Sequence, residues 1–159
     1  MTEDEAVAAL KGADGARAAR AAAALWEMWC RSGQPEVDAL LAEGIEAMER
    51  QRLRVAAGIF DRLVALAPDF PEGWNKRATV RYLLREFEAS IADCRETLER
   101  KPHHFGALSG QGLCHMALAQ HREAAALFRR ALEVYPHLPA ARQNLASALA
   151  EAVKGNGHT

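Results

Sequence analysis

Long apolar runs are missing from this chain of 159 residues, and nothing approaches the roughly 20 consecutive apolar residues that a membrane span requires. An excess of one charge is missing as well. Twenty Lys and Arg face 21 Asp and Glu, for a net charge of −1, so the chain carries no basic footprint for nucleic acid. Cysteine is sparse and odd in number: Cys30, Cys94 and Cys114 have no paired spacing. That pattern predicts neither a disulfide framework nor a zinc site. A glycine-rich phosphate loop and an HExxH motif are both absent, and Ser32, Ser90, Ser109 and Ser147 fall on ordinary helical or turn positions. The expectation is a noncatalytic protein without a cofactor. The opening Met1-Thr2-Glu3-Asp4-Glu5 is acidic, whereas a secretory leader begins basic and continues apolar. The chain therefore reads as cytoplasmic, with an exported or organellar form expected only if a leader has been removed.

What the chain has is a period. Pro68, Pro102 and Pro136 recur at a spacing of 34 residues. With Val37, Pro71 and Phe105 as first residues, the intervening columns align. Column 4 holds Leu40, Trp74 and Leu108; column 8 holds the small Gly44, Ala78 and Gly112; column 20 holds Ala56, Ser90 and Ala124; column 24 holds Phe60, Cys94 and Phe128. Half of the residues are hydrophobic and about a quarter are charged, a composition suited to helices that bury one face. A helix–turn–helix unit of this length cannot bury that face alone, so its copies must stack.

From Val37 to Val153 the pattern resembles the tetratricopeptide repeat family, in the manner of a small stand-alone member. The resemblance implies an all-α, right-handed α-solenoid of antiparallel helix pairs. Its expected organisation is a flexible stretch over 1–15 and a single solenoid domain over 16–154, followed by a loose tail over 155–159. Within the domain lie a half-repeat over 16–36, repeats over 37–70, 71–104 and 105–138, and a capping helix over 139–154. Helix pairs are expected at 37–49 with 53–66, 71–84 with 87–100, and 105–118 with 121–134. The second repeat departs from the family pattern, with Arg77 and Cys94 where Leu and Phe are usual and Arg81 in column 11. The helix bearing Leu25, Trp26 and Trp29 has two readings: a cap on the first repeat, or a segment that reaches into the groove and blocks it.

The family uses the first helices of its units to line a concave face that binds a peptide or a helix of another protein. By that resemblance the candidate groove consists of Leu41, Ile45, Met48, Asn75, Thr79, Tyr82, Leu113 and Met116. The competing reading packs these residues against neighbouring first helices as core. Some members capture terminal carboxylates with a Lys, Asn and Arg clamp; the matching positions here hold Leu41, Ile45, Lys76, Gly106 and Gly110. The clamp is absent, which favours a hydrophobic peptide or amphipathic helix as partner. The alternative is self-assembly, a homodimer or larger oligomer, through the same apolar surface. A third reading makes Cys30 a regulatory thiol. His103 and His137 occupy one column in successive repeats, separated by about the 8–10 Å of helix packing, too far to share a metal ion.

Overall fold

In the computed structural model, which describes residues 1–156, every regular element is a helix. The described residues form nine: α1 (Glu3–Leu10), α2 (Gly15–Trp29), α3 (Pro35–Glu49), α4 (Leu53–Leu66), α5 (Pro71–Leu83), α6 (Phe87–Arg100), α7 (Phe105–Ala117), α8 (His121–Val134) and α9 (Ala141–Asn156). Pro35 and Pro71 open α3 and α5, where a missing N–H costs nothing.

The hairpin turns share one geometry. Gln51, Arg85 and Ala119 each take a left-handed φ, of 62°, 64° and 59°. Each sits just past its first helix, and the next N–H returns to the carbonyl five residues earlier: Arg52 to Ala47 at 2.9 Å, Glu86 to Arg81 at 2.8 Å and Gln120 to His115 at 2.8 Å. This is the Schellman closure, and it is made here without the glycine that usually supplies it. A fourth left-handed residue, Ala140 at φ 64°, explains why α9 begins at Ala141 instead of at Pro139.

Two compact units emerge. One comprises Trp26–Pro102; the other combines Met1–Leu25 with the described residues from His103 onward. Helix α2 contributes residues to both units. In the first, Val37, Leu41, Ala56, Ile59, Phe60, Leu63, Phe70 and Val80 form the core. In the second, Ala124, Ala125, Phe128 and Ala148 form a cluster flanked by Leu113, Met116 and Leu145, and Phe105 meets Tyr135 edge-on at 5.2 Å between centroids.

The small residues of column 8 have a direct cause. A Cβ on Gly44 would lie 2.3 Å from Cε1 of Phe60, and one on Gly112 would lie 2.7 Å from Cε1 of Phe128. Ring and glycine are a matched pair, since close-packed interiors leave no slack for a methyl. In the second repeat the corresponding pair is Ala78 and Cys94, both buried, a methyl added where a ring is missing.

One expectation is corrected at the N-terminus. Residues 1–15 are not a loose stretch: Glu3–Leu10 is helical, closed by a capping box in which Thr2 Oγ1 accepts from Glu5 N and Glu5 accepts from Thr2 N, both at 3.1 Å. Ala6 and Leu10 are fully buried, and this packing supplies the stability that an eight-residue helix lacks on its own. Of the segment expected as a half-repeat, 16–36, residues to Leu25 fall in one unit and those from Trp26 in the other. Of the expected tail, Gly155 and Asn156 end α9, and 157–159 lie outside the described residues.

Candidate functional site

The first helices of the Trp26–Pro102 unit are α3 and α5, and their candidate residues divide by depth. Leu41 is only 3% exposed and belongs to the core. It is therefore packing and not an open contact surface. Ile45 and Met48, one and two turns further along α3, are half-buried against that same core. On α5, Thr79 is exposed and its hydroxyl donates back to Asn75 O at 3.1 Å. Tyr82 is half-buried, edge-on to Phe87 at 5.6 Å.

Asn75 is buried, and its Nδ2 donates to Oε1 of the fully buried Glu72 at 2.7 Å. Lys76 Nζ lies 3.7 Å from that carboxylate and 5.1 Å from the centroid of the Trp26 ring, so one cation serves a buried acid and an aromatic face together. Trp26 and Trp29 meet edge-on at 5.7 Å, and Lys101 stands 5.6 Å from Trp29. Trp26 of α2 thus meets α5 at Lys76, and Ile45, Met48 and Tyr82 are half-buried and Thr79 exposed. Burial pushes the Cys30 thiol above its ordinary value, with Glu72 adding to the effect and Lys76 opposing it. Such a thiol has little thiolate at neutral pH and is correspondingly unreactive. Ser32 holds Asp38 below the usual carboxylate range through Oγ at 2.7 Å and N at 2.9 Å.

The departures of the second repeat compensate one another. Asp93 on α6 is buried and accepts a two-pronged bond from Arg77, Nε to Oδ2 and Nη2 to Oδ1, both at 3.0 Å. Arg81 Nη1 reaches the same Oδ2 at 2.9 Å, and Arg77 Nη1 extends to Asp61 at 3.0 Å. Burial works against the Arg77 charge, but the bonds and charge of Asp93, with Asp61, outweigh it and hold the guanidinium above its ordinary value. Arg77 and Arg100 each stand over the Trp74 ring, at 5.2 and 5.1 Å from its centroid, while Trp74 Nε1 donates to Pro68 O at 2.8 Å. Arg77 and Arg81 in packing columns were the sequence signal for this network; their partner Asp93 carried none.

In the other unit, Leu113 and Met116 of α7 are half-buried against the Phe128 cluster. His104, fully buried, caps α7 by accepting Ala107 N at Nδ1, 3.0 Å. His115 Nδ1 donates to Gln120 Oε1 at 2.6 Å, while Nε2 faces Gln111 Nε2 at 3.3 Å. His103 and His137, paired in the sequence as equivalent positions, both hold the N-terminal segment. His103 Nε2 lies 3.0 Å from Glu3 Oε1, and His137 Nε2 donates to Gly12 O at 2.8 Å.

Tandem helix hairpins, matched glycine–ring pairs and a shared turn define an all-α helical-repeat scaffold. Among curated proteins, a TPR repeat-containing protein of Rhizobium etli is 31% identical over 128 residues, which cover 80% of this chain and 62% of that protein. The Hsp70-Hsp90 organizing protein of Triticum aestivum is 29% identical over 117 residues, 74% of this chain and 19% of that one. The chain thus spans less than two thirds of the length of either relative. The solved structure of the first TPR domain of Spaghetti (RPAP3), bound to the HSP90 peptide SRMEEVD, superposes with a TM-score of 0.72 at 20% identity, covering 74% of this chain and 93% of that one. No family model matches the chain. Sequence likeness and fold agree that this chain is similar to tetratricopeptide-repeat proteins and shares their all-α helical-repeat fold. Among the described residues no helix is long and apolar enough to cross a membrane.

Proposed function

We propose that the chain is a noncatalytic protein-interaction module that takes a hydrophobic peptide or amphipathic helix of another protein on its first helices. The observation that carries this reading is the partial exposure of apolar side chains at groove columns of α3 and α5: Ile45, Met48 and Tyr82, with Thr79 between them. Half-exposed Met and aromatic side chains, backed by a packed core, favour adaptable apolar contact. On α7 the corresponding residues are Leu113 and Met116. The Spaghetti domain with its HSP90 peptide gives a precedent in the same fold for peptide binding. Leu41, Ile45, Lys76, Gly106 and Gly110 stand where carboxylate-clamping members have their Lys, Asn and Arg, so the ligand envisaged here is not anchored through its terminal carboxylates. A second reading is self-assembly, at a surface other than the groove expected for it: on α9, Leu149 is 37% and Val153 69% exposed.

The test is retention of a defined partner by wild type and by an Ile45→Glu/Tyr82→Glu variant of equal helicity, with the solution mass of both measured by light scattering. Partners kept by wild type and lost by the variant support the binding reading. Identical partner sets count against it, and a concentration-dependent dimer disrupted by Val153→Glu would replace it with self-assembly.

A further inference from the structure

The N-terminal segment of the unit that includes α7 and α9 has the construction of a bound ligand. Ala6 and Leu10 of α1, four residues apart, are fully buried; Ala18, Ala21, Ala22 and Leu25 of α2, at helical spacing, are buried as well. Arg17, Ala19, Arg20 and Ala23 line the opposite, exposed face of α2. Two polar points fasten the segment. His103, in the turn before α7, meets Glu3, and His137, in the turn before α9, meets the carbonyl of Gly12. The His137 ring also lies against Gly15, where a Cβ would stand 3.6 Å from Nδ1. The two histidines occupy one column of successive repeats, so the segment is gripped by a feature that the repeat architecture supplies twice. It meets the turns that precede both first-type helices.

The grip is suited to exchange. Most of the buried groups are methyls, so the segment buries little apolar area for its length. An eight-residue helix such as α1 depends on docking for its order, and the short irregular connection between the two helices, 11–14, contains Gly12 and is followed by Gly15 at the start of α2. We infer that Met1–Leu25 is a resident ligand of the face at the entries of α7 and α9. A partner for this face is then an alanine-striped amphipathic helix with an acidic leading turn, which enters as the resident segment leaves. The inference rests on the reading of the first helices as helix-binding surfaces.

The test uses a fluorescein-labelled synthetic peptide of residues 1–25 and the full-length chain. When a competing segment occupies a site, apparent affinity falls with the fraction of open sites. A Leu10→Asp/Ala21→Asp variant, whose own segment is loosened, is expected to bind the peptide at least about tenfold tighter than wild type. A peptide with its alanine stripe scrambled is expected not to bind. Where that variant loses helicity, a Thr2→Ala/Glu3→Ala variant decides, since it removes the cap and the His103 contact; its Glu3–Leu10 amides should also exchange faster. Equal peptide affinity of wild type and folded variant, or no uptake by either, overturns the inference. The Ile45 and Tyr82 substitutions lie in the other unit, so loss of partner binding there and loss of peptide uptake here are separate results.

Discussion

Two glycines in adjacent helices, replaced by the same residue, should shift stability in opposite directions. Gly44 on α3 faces Phe60, and a Cβ built on it would lie 2.3, 2.6 and 2.8 Å from three ring carbons. Phe60 is fully buried, so its ring cannot swing into solvent to make room. Gly58 on α4 has nothing within 4 Å of the same Cβ. Replacing glycine with alanine inside a helix gains about 1 kcal/mol from propensity, whereas forcing a methyl into a packed core costs about 1–3 kcal/mol, occasionally more. With three contacts well inside van der Waals distance, the Gly44 site belongs at the upper end of that range. Gly44→Ala should therefore be destabilised by about 1–2 kcal/mol, the overpacking cost less the propensity gain. Gly58→Ala should be stabilised by about 0.5–1 kcal/mol. Urea unfolding followed by circular dichroism at equal m-values reads both. Adding Phe60→Leu to Gly44→Ala should cost less than the two single changes together, because the shorter side chain vacates the space the methyl needs. A Gly44→Ala protein as stable as Gly58→Ala would refute the matched-pair argument and, with it, the explanation of Ala78 beside Cys94.

Asp93→Asn leaves two guanidinium groups facing a neutral partner. Breaking a buried pair costs about 3–5 kcal/mol, and because the Arg77 and Arg81 side chains keep 15% and 25% of their exposure, a loss of about 2–3 kcal/mol is expected in urea unfolding; no change would dissolve the network as a source of stability. Ala119→Gly relieves a left-handed residue and should stabilise by about 0.5–1 kcal/mol, an effect absent at Ala117, inside α7. Cys30 should alkylate with iodoacetamide more slowly than a free thiol at neutral pH, with Cys94 and Cys114 slower still, as read by peptide mass spectrometry; a fast Cys30 would revive the regulatory thiol. Asp38 is held below its unfolded carboxylate value, so its contribution is present above that value and lost as pH falls through the folded one. Ser32→Ala should raise its NMR-detected titration toward the ordinary range and flatten that acid limb.

The repeat period, the helix spans from α3 to α8 and the small-residue columns were legible in the linear order. Helix pitch, proline punctuation and close approach between paired helices act within a few tens of residues, and each leaves a residue type at a fixed spacing. The hairpin turns were placed, yet their left-handed Gln51, Arg85 and Ala119 carry no glycine to announce them; the hydrogen bonds that close each turn impose the conformation. Tertiary structure alone decided the rest. Leu41 sits at a groove column but is drawn into the core, because exposure is fixed by what packs over a helix face. Arg77 and Arg81 look like defects until two helices bring them within 3.0 Å of Asp93. Residues 1–15 look too poor in large apolar side chains to order themselves, and by themselves they are. Their helix exists because Ala6 and Leu10 are buried within a unit whose other members begin about a hundred residues later, and no local pattern records a contact that only the folded chain can make.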